Sequence, residues 1–262
     1  MLQIRLVLLL PLFFVAVEQK VVLGEEPDSL QALKEQAVQG DAKVQYDLGV
    51  RYHKGQGVPQ DYTEALKWYR LAAAQGHAEA QYNLGMMYYN GRGIPQDYTE
   101  ALKWHRLAAA QGLAVAQSNL GVMYDKGQGV PQDYVEAVKW YRLAAAQGYA
   151  QAQGTLGVIY HLGHEGVPQD YTEALKWYRL AAAQGLAGAQ YNLGAMYANG
   201  QGVRRDDVQT YQWFYLAAAN ATGEVQKKAA KARDTFAAKM TPAQRAKAQK
   251  LAREWQPTPQ KQ

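Results

Sequence analysis

Ala78, Ala80, Leu84 and Tyr88 lie along one face of a 3.6-residue helical repeat, with Glu79, Gln81 and Asn83 between them. That spacing predicts a first helix, helix A, over about 77–90. Gly91 sits just past its end, where a left-handed residue terminates a helix cheaply. Gly91-Arg92-Gly93-Ile94-Pro95 then turns the chain back. Helix B starts with Asp97 as N-cap, and Glu100 stands at the capping-box position. It presents Ala101, Trp104, Leu107 and Ala108 on one face and closes at Gly112. The unit is a helical hairpin.

The same hairpin begins at Gly40, Gly76, Gly112, Gly148 and Gly185, with spacings of 36, 36, 36 and 37 residues. A fixed period of this size marks a solenoid, in which each unit buries its apolar face on its neighbours. Glycine recurs inside every helix A at Gly49, Gly85, Gly121, Gly157 and Gly194. Glycine in a helix interior costs about 1 kcal/mol relative to alanine. Five such costs imply that a large side chain approaches the bare backbone. Trp68, Trp104, Trp140, Trp177 and Trp213, one per helix B, are the expected occupants.

Around Ala80, Leu84, Gly85, Tyr88, Gly91, Gly93, Asp97, Ala101, Trp104, Ala108, Ala109 and Gly112, the chain resembles the Sel-one-like repeat family, relatives of the tetratricopeptide repeat. The resemblance implies an all-α fold, a right-handed α-α superhelix with helix A on its concave face, used as an adaptor or scaffold. The chain departs from that pattern in lacking the cysteines that staple some secreted members. The fourth repeat carries an extra residue at Gly163-His164-Glu165-Gly166, and the fifth has Arg204-Arg205-Asp206-Asp207 in place of Pro-Gln-Asp-Tyr.

The expected organisation is a signal peptide at 1–24, a capping half-repeat at 25–39, and repeats at 40–75, 76–111, 112–147, 148–184 and 185–220. Capping helices follow at 221–256, then a disordered tail at 257–262. A helix is expected over about 224–239, and Thr241, Pro242 and Gln244 open a last one as N-cap, first-turn proline and capping partner. Arg5, the apolar run Leu6 to Val17, and Val22-Leu23-Gly24 have the order of an export signal. As a helix that run rises about 18 Å, too short for a bilayer core of ~30 Å. The expected location is therefore the periplasm or the exterior through the Sec route; an uncleaved, inner-membrane-anchored assembly factor is the alternative.

Charge changes the picture only at the ends. The chain carries a net +5, but residues 224–262 hold ten basic and three acidic side chains, and residues 40–223 are neutral. A nucleic-acid surface needs a basic stripe along the contact, so none is expected. The basic terminal helices allow weak contact with a membrane surface. Lys67 and Arg70, with their equivalents in later repeats, form a regular stripe on helix B that Glu64 and its equivalents partly neutralise.

Catalytic chemistry is poorly supported. There is no cysteine, and no Gly-x-Ser-x-Gly or His-Glu-x-x-His motif. A hydrolase of the β-lactamase-like type would need Ser-x-x-Lys, which neither Ser29 nor Ser118 begins. His53, His77, His105, His161 and His164 are read as edits outside the shared core. His161, His164 and Glu165 are too few for a metal centre, and a solvated loop accounts for them. No catalytic residue, metal or cofactor is assigned.

The candidate site is the exposed face of helix A. Asp47, Asn83, Asn119, Thr155 and Asn192 are equivalent and stack into a polar ladder, flanked by Tyr46, Tyr82 and Tyr191. One turn back lie Lys43, Glu79, Val115, Gln151 and Gly188; one turn on lie Val50, Met86, Val122, Val158 and Ala195. Asparagine can donate to and accept from an extended peptide, and methionine and tyrosine add adaptable apolar contact. The other reading is that these asparagines satisfy neighbouring helix backbones. A protein or peptide in this groove is the expected partner, and capped ends favour a monomer.

Overall fold

The computed structural model describes residues 30–258; the expected signal peptide and the last residues, 259–262, lie outside them. The chain folds into thirteen described helices: α1 (Leu30–Val38), α2 (Ala42–Lys54), α3 (Tyr62–Ala74), α4 (Ala78–Asn90), α5 (Tyr98–Ala110), α6 (Ala114–Lys126), α7 (Tyr134–Ala146), α8 (Ala150–Leu162), α9 (Tyr171–Ala183), α10 (Ala187–Asn199), α11 (Asp207–Asn220), α12 (Gly223–Ala237) and α13 (Pro242–Glu254). Even-numbered α2 to α10 are the A helices, and α3 to α11 the B helices. Each packs on its neighbours in sequence, and buried apolar clusters follow one another along the stack.

Local chemistry sets the helix ends as expected. Asp97 accepts from the Thr99 and Glu100 backbone N–H groups, and Asp61, Asp170 and Asp206 do the same in their repeats. The Glu100 side chain differs from its capping-box assignment: it accepts from Trp104 Nε1 at 3.2 Å. Gly91 ends α4 in the left-handed region at φ 66°. In the fourth repeat Gly163 takes a more extended backbone, ψ 148°, and the extra residue is absorbed by an antiparallel bridge between His164 and Val167.

The ring that meets the bare backbone of helix A is not tryptophan. It is the residue after it. A Cβ on Gly49, Gly85, Gly121, Gly157 or Gly194 would fall 2.4–2.9 Å from Tyr69, His105, Tyr141, Tyr178 or Phe214 respectively. The buried face of helix B is correspondingly turned: Ala101, Leu102, His105, Ala108 and Ala109 of α5 are buried, while Leu107 is 44% exposed. Trp104 sits at the edge of that face and packs against the cluster that α4 forms with α3 of the preceding repeat. His105, read from sequence as outside the shared core, is completely buried in it.

A second feature holds one hairpin to the next. Gln45, Gln81, Gln117, Gln153 and Gln190 are all buried. Each donates its amide to a carbonyl of the preceding B-position helix, Ala37, Ala73, Ala109, Ala145 and Ala182 in turn, at 2.9–3.2 Å. Each also accepts from the residue at the end of its own repeat's helix B, Gln75, Gln111, Gln147, Gln184 and Asn220, at 2.7–3.1 Å. The ends join the same ladder. The α1 carbonyl of Ala37 serves as a B-helix carbonyl, and Gln226 of α12 reaches Ala218 at 3.4 Å as an A-helix glutamine does.

Thr241 and Gln244 form the expected capping box at the start of α13. Beyond it the chain does not leave the surface at Pro257. Pro257 lies 4.0 Å from where a Gly185 Cβ would be, and the Thr258 N–H donates to the Ala183 carbonyl at 2.7 Å.

Two glycines should respond with opposite sign. Gly121→Ala drives a methyl into Tyr141 and should lower stability by roughly 1–2 kcal/mol. Gly188 is helical, and a Cβ there meets nothing within 4 Å. Gly188→Ala should therefore raise stability by up to about 1 kcal/mol. Urea denaturation of both variants checks the pair; a stabilising Gly121→Ala would contradict the contact.

Candidate interaction groove

Residues of neighbouring A helices come together on one side of the stack. Asn119 of α6 reaches the Met86 sulfur of α4 at 3.1 Å, and Thr155 and Val158 of α8 line one surface hollow with Gly188 and Asn192 of α10. The expected groove residues lie on these helices, though their environments differ.

Lys43 and Glu79 are exposed, and Lys43 pairs with Asp47 at 3.5 Å. Val50, Met86, Val115, Val122, Tyr46 and Tyr82 are half-buried, as are Asn83, Asn119, Thr155 and Asn192. Asn83 lies beside the hydroxyls of Tyr46 and Tyr69, Asn119 beside that of Tyr82, and Asn192 beside that of Tyr178, each favouring the phenolate against the effect of burial. The asparagines thus stand next to rings of the preceding repeat. Burial, the largest cause, pushes the Tyr69, Tyr141 and Tyr178 phenols up, so they stay protonated at neutral pH. Beside Tyr141 stands Asp125 rather than an asparagine, and its carboxylate raises the phenol further.

The outer face is less free than its charge suggests. Lys103, Lys139 and Lys176 pair with the glutamates three residues earlier. The arginines turn to the next repeat: Arg70, Arg106, Arg142 and Arg179 donate to Tyr88, Tyr124, Tyr160 and Tyr197 at 2.7–2.9 Å. The histidines of the irregular loop do not converge. His161 packs edge-on to Tyr171, while His164 stacks on Tyr134 with centroids 4.2 Å apart.

Sequence reading missed the buried glutamines and the residues that open each A helix, His77, Leu113, Tyr149 and Leu186. His77 stacks on Tyr46 in the groove at 4.7 Å. The glutamines' signal was present: Gln45, Gln81, Gln117, Gln153 and Gln190 repeat without change inside an apolar frame.

A solenoid built from one repeated helical hairpin defines the class as a tandem-repeat interaction scaffold. The chain belongs to the Sel1 repeat family, whose model matches residues 42–77, 78–113, 114–149, 150–186 and 187–221. Sel1 repeat proteins are generally protein-interaction scaffolds. The fold is similar to that of c5321, a protective antigen of uropathogenic Escherichia coli with an SLR fold, at 38% identity and TM-score 0.71 over 87% of this chain and 54% of that one. It is also similar to a Sel1 repeat protein from Oxalobacter formigenes, at 31% identity and TM-score 0.70 over 89% and 91%. A 44-residue stretch, 17% of this chain, is 46% identical to the secretory immunoglobulin A-binding protein EsiB of Escherichia coli O6:H1, of which it spans 9%. The chain thus spans about half of c5321 and a small part of EsiB.

His105 gives the fold a measurable pH dependence. Burial alone pushes its imidazole down to about 4, and neither ring nitrogen has a hydrogen-bond partner. In the unfolded chain it protonates near 6.5, so between those values the unfolded state binds more protons. Stability should fall as pH drops from about 6.5 to about 4, by about 3 kcal/mol from this group. Burial also lowers His53 and His161, which act in the same direction. His105→Tyr should remove most of the slope, read from urea midpoints at pH 7.5 and 4.5; an unchanged slope would reject the assignment.

Proposed function

We propose that the chain is an exported scaffold that holds an extended segment or helix of a protein partner in the groove lined by its A helices. The observation that carries this reading is the division of labour within each A helix. The repeated residues are used in packing: leucine and glycine in the core, glutamine in the ladder, asparagine on buried phenols. The residues that vary from repeat to repeat, Lys43, Glu79, Val115, Gln151 and Gly188, face the groove. Variation at the surface of a rigid frame is how one fold acquires a particular partner.

The variable residues also give the groove a direction. Lys43, Asp47 and Glu79 charge its N-terminal end, whereas Gln151, Thr155, Val158, Gly188 and Asn192 leave the other end neutral. A bound segment therefore places its polar end over α2 and α4 and its apolar end over α8 and α10. Likeness to a protective antigen and to an immunoglobulin A-binding protein supports work outside the cytoplasm, in line with the leader-like start of the chain. The capped ends of the stack favour a monomer.

The test is differential capture from envelope and culture-medium extracts. A Glu79→Lys, Val115→Glu variant should keep its melting temperature and lose its captured partner by roughly ten-fold or more, as expected for central interface contacts. Lys103→Glu, on the outer face, should retain it. A groove variant that captures the same protein as well as wild type would refute the groove. Mass spectrometry of the exported chain should find its N-terminus at Glu25.

A further inference from the structure

The groove floor changes at one junction. In the first, second and fifth repeats the chain lays its own tyrosine across it. Tyr46 lies 6.0 Å from Tyr69, Tyr82 lies 5.6 Å from His105, and Tyr191 lies 5.3 Å from Phe214, measured between ring centroids. Tyr46 and Tyr82 extend to the asparagine of the following repeat. The third repeat has the small Ser118 in that column, buried like Gly154 of the fourth. In the fourth repeat the column holds Gly154, and a cavity of about 380 Å³ opens there to solvent. Its walls include Thr155, Val158, Tyr178, Leu186, Gly188 and Asn192, and a Leu186 methyl stands 2.7 Å from where a Gly154 Cβ would be.

Leu186 takes the root of the missing side chain, and the cavity beyond it keeps two of the ring's neighbours. Tyr178 provides the buried aromatic that His105 and Tyr69 provide elsewhere, and Asn192 stands where Asn83 and Asn119 meet tyrosine hydroxyls. No lining side chain carries a charge. Packing does not explain Gly188 at the mouth, because a Cβ there would meet nothing within 4 Å. A helical glycine with no close neighbour weakens its helix. Here its effect is to keep the mouth open. The volume is at the lower end of the range for small-ligand pockets, roughly 300–1,000 Å³.

We infer that this cavity receives one uncharged aromatic side chain of the partner segment, its ring against Tyr178 and next to the place that the chain's own tyrosines take in other repeats. The inference rests on the groove reading and adds a specificity pocket to it. Aromatic rings favour tilted and offset contacts with a neighbouring ring, a gain that an aliphatic side chain lacks. The neutral lining disfavours a charged side chain, which would lose its hydration without a counter-ion.

The test titrates the full-length protein with N-acetyl-L-phenylalaninamide and follows backbone amide shifts. Shifts should centre on Thr155, Val158 and Asn192, with a Kd on the order of 1 mM for so small a probe. N-acetyl-L-leucinamide should bind roughly three- to ten-fold more weakly. Two variants fill the site. In Gly154→Tyr the new Cβ first meets the flexible end of Leu186, at 2.7 Å. In Gly188→Leu it enters open space. Either variant that melts like wild type should lose the shifts. Equal binding of the leucine probe, shifts elsewhere only, or binding retained in a folded filled variant overturns the inference. So do shifts at these residues that depend on protein concentration without probe, which would make a second copy the occupant. The probe needs no partner, so this pocket can fail while capture still supports the groove, and the reverse.

Discussion

The arrangement depends on an aromatic ring pressed against bare backbone. Tyr69, His105, Tyr141, Tyr178 and Phe214 each lie where a glycine of the paired helix leaves no Cβ. The contact fixes how closely the two helices of a hairpin approach. It also fixes the rotation of helix B about its axis, because only one residue in each turn can point at the glycine. Once that rotation is set, tryptophan falls at the boundary with the preceding repeat and arginine falls on the next repeat's tyrosine. The ring itself is exchangeable. Tyrosine, histidine and phenylalanine all occupy it, since shape and area matter more there than a polar tip.

The buried glutamines solve a different problem. Stacked hairpins bring helix ends together in the interior, where unpaired carbonyls are costly. One glutamine per repeat takes its hydrogen bonds from two different B helices, the preceding repeat's and its own. Apolar packing alone would tolerate sliding between repeats. A buried amide with directed partners does not, so the ladder sets register while the core supplies most of the stabilisation.

Much of the fold was legible because a period leaves little freedom: the hairpins, their aspartate caps and the capping box at Thr241 follow from local rules. The errors came where adjacent letters compete. Tryptophan and the ring after it differ by one residue, about 100° around helix B, and composition favoured the larger one. His105 looked like an outlying edit because histidine is usually polar surface, yet its column holds aromatics throughout. The glutamines were passed over because polar residues are expected outside. In the candidate site the variable columns were legible. The placing of asparagine beside phenols was not, because it depends on which ring comes within reach across a repeat boundary. Gly154 and Gly188 are visible as edits, but the space between them exists only when α8 and α10 are set side by side.

The ladder has a further consequence for how such a chain changes in length. Every hairpin presents the same pair of hydrogen-bonding demands to the hairpin before it and the one after it. Copying one hairpin in tandem therefore inserts a unit whose buried amide finds its partners at once, with no new interface to invent. Losing one closes the gap equally well. Length becomes a heritable variable that a single recombination event can alter, while the two end helices move apart or together unchanged. Each added unit also begins as a duplicate whose groove-facing residues are free to diverge.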